Sequence, residues 1–66
     1  MEKGQIRSIG AHINGGTIAD GQGRIINFNN SNIVGRDRTG LKSGDQVWFE
    51  RIGANSDINA INIRRC

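Results

Sequence analysis

Short stretches in which apolar and polar residues alternate recur along the chain, separated by clusters of glycine and asparagine. Alternation with a period of two places successive side chains on opposite faces and predicts β-strands. No stretch has the i, i+3, i+4, i+7 spacing of an amphipathic helix, so the pattern favours an all-β fold. The five strands that it predicts cover residues 4–9, 17–19, 24–29, 46–51 and 58–63.

The segments between these strands carry turn residues. Asp20-Gly21-Gln22-Gly23 predicts a tight hairpin in which Asp-Gly supplies the positive φ of a primed turn. Five short strands with two open edges would pair with other chains, so a closed antiparallel barrel is the expected arrangement. Its predicted inward-facing side chains are Ile6, Ile9, Ile18, Ile26, Phe28, Ile33, Leu41, Val47, Phe49, Ile61 and Ile63.

The composition agrees with a small β domain. Eleven of the 66 residues are isoleucine, which is stiff at χ1 and suits strands, and the chain has no proline. Nine Lys and Arg against six Asp and Glu give a net charge of +3. A basic balance raises the expectation of a polyanionic partner, although solubilisation of the surface explains it equally well.

A series of short motifs runs in one order over nearly the whole chain. They are Lys3-Gly4-x-Ile6-Arg7, Gly16-x-Ile18, Ile26-x-Phe28, Ser31-x-Ile33, Leu41-x-x-Gly44-x-x-Val47-x-Phe49-Glu50 and Ala60-x-Asn62-Ile63. Together they resemble the cold-shock domain family. The resemblance implies a single domain over residues 1–66, a five-stranded antiparallel OB-fold barrel, and binding of single-stranded RNA or DNA.

The family's two binding motifs are altered in this chain. They have the form Lys-Gly-Phe-Gly-Phe-Ile and Val-Phe-Val-His-Phe, whereas residues 13–18 and 26–30 here lack the outward aromatics and the outward histidine. Ser8 stands where the family has a tryptophan, and Arg38 stands where it has a loop aromatic. Stacking contributes about 1–3 kcal/mol per base, so we expect weak binding that depends on charge.

The residues expected to bind are the polar and basic ones on the face of strands one to three and close to it. Cationic side chains would neutralise phosphates, and threonine and asparagine would contact sugar or bases. A solvated surface explains the same residues without a ligand. The predicted binding residues are Lys3, Arg7, Arg24, Arg36 and Arg38 for phosphate, and Thr17, Asn27 and Asn29 for sugar or base.

Trp48 supports an alternative function. Alternation with Val47 and Phe49 places it outside the barrel, on a strand remote from the family's nucleic-acid face. Exposed tryptophans often anchor interfaces, so the alternative is a protein-interaction module in which Trp48 contacts a protein partner or a second copy. Partial burial of the ring beneath Arg51 or the terminus is the structural explanation for the same residue.

Catalytic chemistry finds little support in the sequence. One histidine (His12), one cysteine (Cys66) and six scattered acids form neither a nucleophile with a base nor a metal-ligand motif. We therefore expect a non-enzymatic protein with no cofactor and no metal. The longest apolar runs have two or three residues, so neither a signal peptide nor a membrane segment is expected, and the expected location is cytoplasmic.

Overall fold

Five strands form a closed barrel, which confirms the all-β prediction. The structure is a computed structural model that describes residues 1–10, 15–35, 40–54 and 57–66. The strands are β1 (Glu2–Gly10), β2 (Gly15–Ala19), β3 (Ile25–Asn29), β4 (Gln46–Ile52) and β5 (Asn59–Arg65), with a 3₁₀ helix at Asn30–Asn32.

The strand order around the barrel is β1-β2-β3-β5-β4, and β4 pairs with β1 to close it. Four neighbouring pairs are antiparallel, whereas β3 and β5 are parallel. The prediction of a purely antiparallel sheet was therefore wrong at one seam. The reason is geometric, because strand direction cannot alternate around a closed ring that has an odd number of members. The barrel is otherwise consistent with the OB-like fold that the resemblance implies.

The barrel interior is filled by aliphatic side chains and two phenylalanines. Ile9 and Ile58 pack against this core while partly buried. All the other predicted core residues are confirmed except Ile61, which is half-buried and lies outside the core. The buried core residues are Ile6, Ile18, Ile26, Phe28, Ile33, Leu41, Val47, Phe49, Ala60 and Ile63.

A bulge in β5 explains the exchange of Ile61 for Ala60. Trp48 pairs with Arg64 and Glu50 pairs with Ile61, so one residue of β4 lies opposite two residues of β5. An extra residue shifts the alternation of inward and outward side chains by one position. As a result the inward residues of β5 are three apart, and Ala60 takes the interior place predicted for Ile61.

A second bulge, in β1, positions the surface residues of interest. Ile6 pairs with Ile18, and Ser8 pairs with Thr17, so Arg7 is the extra residue. Ile6 is buried, and Ile9, three residues later, packs against the core. Because the inward positions are three apart, Arg7 and Ser8 both lie on the outside, and both are exposed.

The β2–β3 hairpin differs from the predicted primed turn. The Gly23 amide donates to the Asp20 carbonyl at 3.0 Å, and the Asp20 amide donates to the Arg24 carbonyl at 2.9 Å. The positive φ of 83° falls on Gly23 and not on Gly21. The Asp20 carboxylate accepts hydrogen bonds from the Gln22 and Arg24 amides at 2.8 and 2.9 Å, which stabilises this three-residue loop.

Candidate nucleic-acid interface

A row of neutral polar residues crosses the outer wall of four strands. Ser8 pairs with Thr17, Thr17 with Asn27, and Asn27 with Asn59. The hydroxyls of Ser8 and Thr17 are 2.8 Å apart and hydrogen-bonded. We call these four residues the polar row. It offers hydroxyl and amide groups that can both donate and accept hydrogen bonds.

Arg7 adds positive charge beside the polar row. Its neighbour Ser8 is the first residue of the row, and the β1 bulge directs both side chains outward. The Arg7 carbonyl accepts a hydrogen bond from the Ser43 hydroxyl at 3.2 Å, which anchors the backbone at the bulge. Arg7 forms no salt bridge with any residue that the structure describes. Its guanidinium can therefore pair with a phosphate without first leaving a carboxylate.

Two other predicted residues lie at the margin of this face. Arg24 is exposed just before β3, three residues from Asn27, which is about 10 Å along an extended chain. Asn29 ends β3 and caps the 3₁₀ helix, since its side-chain oxygen accepts from the Ser31 amide at 3.0 Å and from the Ser31 hydroxyl at 3.1 Å. The helix cap thus explains the asparagine at position 29 without a nucleic-acid ligand. Arg36 and Arg38 lie outside the described residues.

Lys3 belongs to a different part of the outer wall. It pairs with Trp48 of β4, and its Nζ lies 5.7 Å from the centroid of the indole ring. Arg7 lies four positions further along β1, which is about 13 Å along an extended strand. Lys3, Arg7 and Arg24, the predicted basic residues that the structure describes, therefore do not form one compact patch, although Lys3 and Arg7 share the outer face of β1.

A shallow depression of about 420 Å³ lies beside Lys3. Gln5 and Gln46, which pair with each other across β1 and β4, supply amide groups to it, and Lys3 forms part of its wall. The remaining lining residues are Gly4, Ala19, Asp20 and Gly21.

Carboxylates near these surfaces are engaged by other groups. Arg51 donates to both oxygens of Glu2, at 2.9 and 2.7 Å, and to Asp20 at 2.9 Å. The hydrogen bond from Arg51, followed by that from the Arg24 backbone amide, lowers the pKa of Asp20 below its ordinary value. Glu50 accepts from the Asn62 amide at 2.9 Å. Among the described residues, the cations in no salt bridge are Lys3, Arg7, Arg24, Lys42 and Arg64.

Sequence reasoning missed Ser8, Asn59 and Arg64 as parts of these surfaces. Ser8 was noted only as the replacement of a tryptophan, and its pairing with Thr17 follows from the β1 bulge. Asn59 joins the polar row through the parallel β3–β5 seam, and Arg64 meets Trp48 through the register of β4 and β5. Alternation within one strand carries no signal for any of these pairings.

No protein-family model matches the chain, and no curated protein is significantly similar to it. The likeness to cold-shock domains therefore rests on the residues quoted above and on the barrel. Within the described ranges, no helix is long and apolar enough to cross a membrane. The same part of the chain contains no group of three His, Cys, Asp or Glu residues that could hold a metal ion.

Proposed function

We propose that this protein is a non-enzymatic module that resembles a cold-shock domain and binds single-stranded RNA or DNA weakly. The observation that carries the proposal is the polar row with Arg7 at its β1 end, on the outer wall of β1, β2, β3 and β5. The cytoplasm is the location that we propose with this function.

The chemistry of the face fits a flexible polyanion. The Arg7 guanidinium would pair with phosphate oxygens, and the Ser8 and Thr17 hydroxyls would contact phosphate or sugar. The Asn27 side chain would donate to and accept from a base edge. Because none of the described residues on this face carries an aromatic ring, each base forgoes the roughly 1–3 kcal/mol that stacking supplies, and charge carries a larger share of the affinity.

The first prediction concerns the salt dependence of binding. Fluorescence anisotropy of a labelled oligopyrimidine should give a binding constant that falls between about 50 and 200 mM salt, with a log–log slope of about −0.7 per neutralised phosphate. Arg7→Gln should make that slope shallower by about 0.7, because one phosphate contact is lost.

Lys42→Gln is the matched control, because it removes the same charge from an exposed side chain that forms no salt bridge with the described residues and belongs to neither proposed surface. We expect it to weaken binding less than Arg7→Gln does. Absence of binding at high micromolar protein and low salt would refute the proposed function. Equal losses in the two variants would show that net charge, and not this face, determines binding.

A further inference from the structure

A tryptophan lies between two cations on the part of the wall formed by β1, β4 and β5. Lys3 pairs with Trp48 on one side, and Arg64 pairs with Trp48 on the other. Side chains of directly opposed residues on one face have Cβ atoms about 4.5–5.5 Å apart. We call these three residues the tryptophan platform.

The indole ring is held in place but remains accessible. Trp48 is 38% exposed, and the Lys3 ammonium lies over its ring. Arg51, which could have covered the ring, instead bonds to Glu2 and Asp20. An accessible indole with a cation already against it is a surface on which another flat group can stack.

Amide groups lie next to the platform on the same outer face. Gln46 precedes Trp48 by two residues, and Gln5 follows Lys3 by two, so alternation places all four side chains outward. The Gln5 amide donates to the Gly44 carbonyl at 3.2 Å, which orients it. These two glutamines line the depression of about 420 Å³, a size within the range of small-molecule sites.

Two carboxylates lie near the platform, and a third, that of Asp20, lines the depression, where Arg51 binds it at 2.9 Å. Glu50 follows Trp48 by two residues on β4, on the side away from Gln46, and it accepts a hydrogen bond from Asn62. The Glu2 carboxylate accepts hydrogen bonds from Nε and Nη2 of Arg51. An anionic chain would therefore approach the ring from the side of Gln5 and Gln46.

We propose that the tryptophan platform is a second contact site for single-stranded nucleic acid. A nucleobase stacks on Trp48, the flanking phosphates pair with Lys3 and Arg64, and the Gln5 and Gln46 amides bond the base edge. The outward residues of β1, namely Lys3, Gln5 and Arg7, connect this site to the polar row. The inference rests on the proposed function, because it assumes the same class of ligand.

The charges favour nucleic acid over a second copy of the chain. A two-fold contact centred on Trp48 would bring Lys3 and Arg64 of one copy against the same residues of the other. Like charges brought together in an interface oppose association. A polyanion, in contrast, is attracted by the same two cations.

The second prediction uses the fact that Trp48 is the sole tryptophan of the chain. Titration with oligothymidylate at low salt should change its fluorescence saturably, with the same midpoint as the anisotropy of the labelled strand. An abasic oligomer of equal length, which carries the phosphates but no bases, should leave most of the signal unchanged.

Substitution of the ring separates stacking from charge. Trp48→Leu should lower the affinity for oligothymidylate roughly 5- to 150-fold, as expected for the loss of one stacked base. Trp48→Phe keeps an aromatic ring and should lose less. Since the side chain lies outside the core, both variants should retain the far-ultraviolet circular dichroism of the parent.

The outcomes distinguish this inference from the proposed function. Binding by anisotropy with unchanged tryptophan fluorescence and full affinity in Trp48→Leu would overturn the second site and leave the first. Absence of binding by both methods would overturn both. Sedimentation that shows self-association of the ligand-free protein, abolished by Trp48→Leu, would assign Trp48 to an interface between copies and overturn the inference.

Discussion

At the scale of the residue, Asn62 allows β5 to place both Ala60 and Ile63 inside the barrel. It is the one described residue other than glycine with a positive φ, 51°. Asparagine tolerates the left-handed region better than other residues that carry a β-carbon. Its side-chain amide also donates a hydrogen bond to Glu50 at 2.9 Å. The backbone conformation and the side chain of Asn62 therefore both contribute to the stability of the fold.

The third prediction separates these two contributions. Asn62→Ala and Asn62→Gly both lose the hydrogen bond to Glu50, but only alanine meets the steric cost of the left-handed conformation. We expect Asn62→Ala to be less stable than Asn62→Gly by about 1 kcal/mol, measured as the free energy of unfolding in urea. Equal stabilities would mean that the β5 backbone relaxes out of the bulge at little cost.

Some of the asparagines of this chain have structural roles, and others lie on its surface. Asn29 and Asn32 cap the 3₁₀ helix through reciprocal side-chain hydrogen bonds. Asn27 and Asn59 instead lie exposed in the polar row. Asparagine is a poor strand former, so its frequency in this chain needs a reason, but the sequence cannot assign one to each residue, because a cap and a binding surface use the same amide chemistry.

At the scale of the element, strands were predictable and bulges were not. Period-two alternation located all five strands to within two residues at each end, because it follows directly from the pleat. A bulge depends on one extra residue that alternation does not mark. The bulge in β5 reversed the assignment of Ile61 and Ala60, and the bulge in β1 brought Arg7 and Ser8 to the same face.

The fourth prediction concerns the cluster that joins β1, the β2–β3 hairpin and β4. Arg51 bridges Glu2 and Asp20, and the Asp20 carboxylate is nearly buried. Its hydrogen bonds lower the pKa of Asp20 below 3.8, so the ionised form stabilises the fold above that pH. This stability is lost as the pH falls below about 3.8 and through the pKa of the folded state.

Asp20→Asn tests this effect directly. The difference in urea midpoint between the parent and this variant should be largest near neutral pH and should shrink as the pH falls below about 3.8. Asp57→Asn is the matched control, since Asp57 is exposed and forms no salt bridge with the described residues. If the difference in urea midpoint between the parent and Asp20→Asn stays constant down to strongly acidic pH, the ionised Asp20 carboxylate does not stabilise the fold in the way assigned to it.

At the scale of the whole molecule, barrel closure was predictable but the adjacency of surface residues was not. Five strands and unprotected edges favour a closed ring, and the odd number of strands requires at least one parallel seam. The two proposed binding surfaces depend on which residues lie opposite each other. The polar row and the tryptophan platform are each built from several strands, so they become visible only when the register is known.

The fifth prediction follows from the parallel seam, where two neighbouring strands share the fewest register pairs. β3 and β5 share the register pair Asn27–Asn59, supplemented by the bridge Ile33–Ile63 and the hydrogen bond from the Val34 amide to the Ile63 carbonyl at 2.8 Å. The antiparallel pair of β2 and β3, in contrast, runs in continuous register along both strands. Local opening should therefore begin between β3 and β5.

Amide hydrogen exchange measures this opening. The Val34 amide should exchange faster than the Ile6 amide, which donates to the Asp45 carbonyl at the same distance of 2.8 Å but lies in a strand paired on both sides. Because the two hydrogen bonds are equally short, a difference in protection reports the seam and not the bond. Equal protection would mean that the barrel opens as one unit, with the parallel seam as stable as the antiparallel ladders.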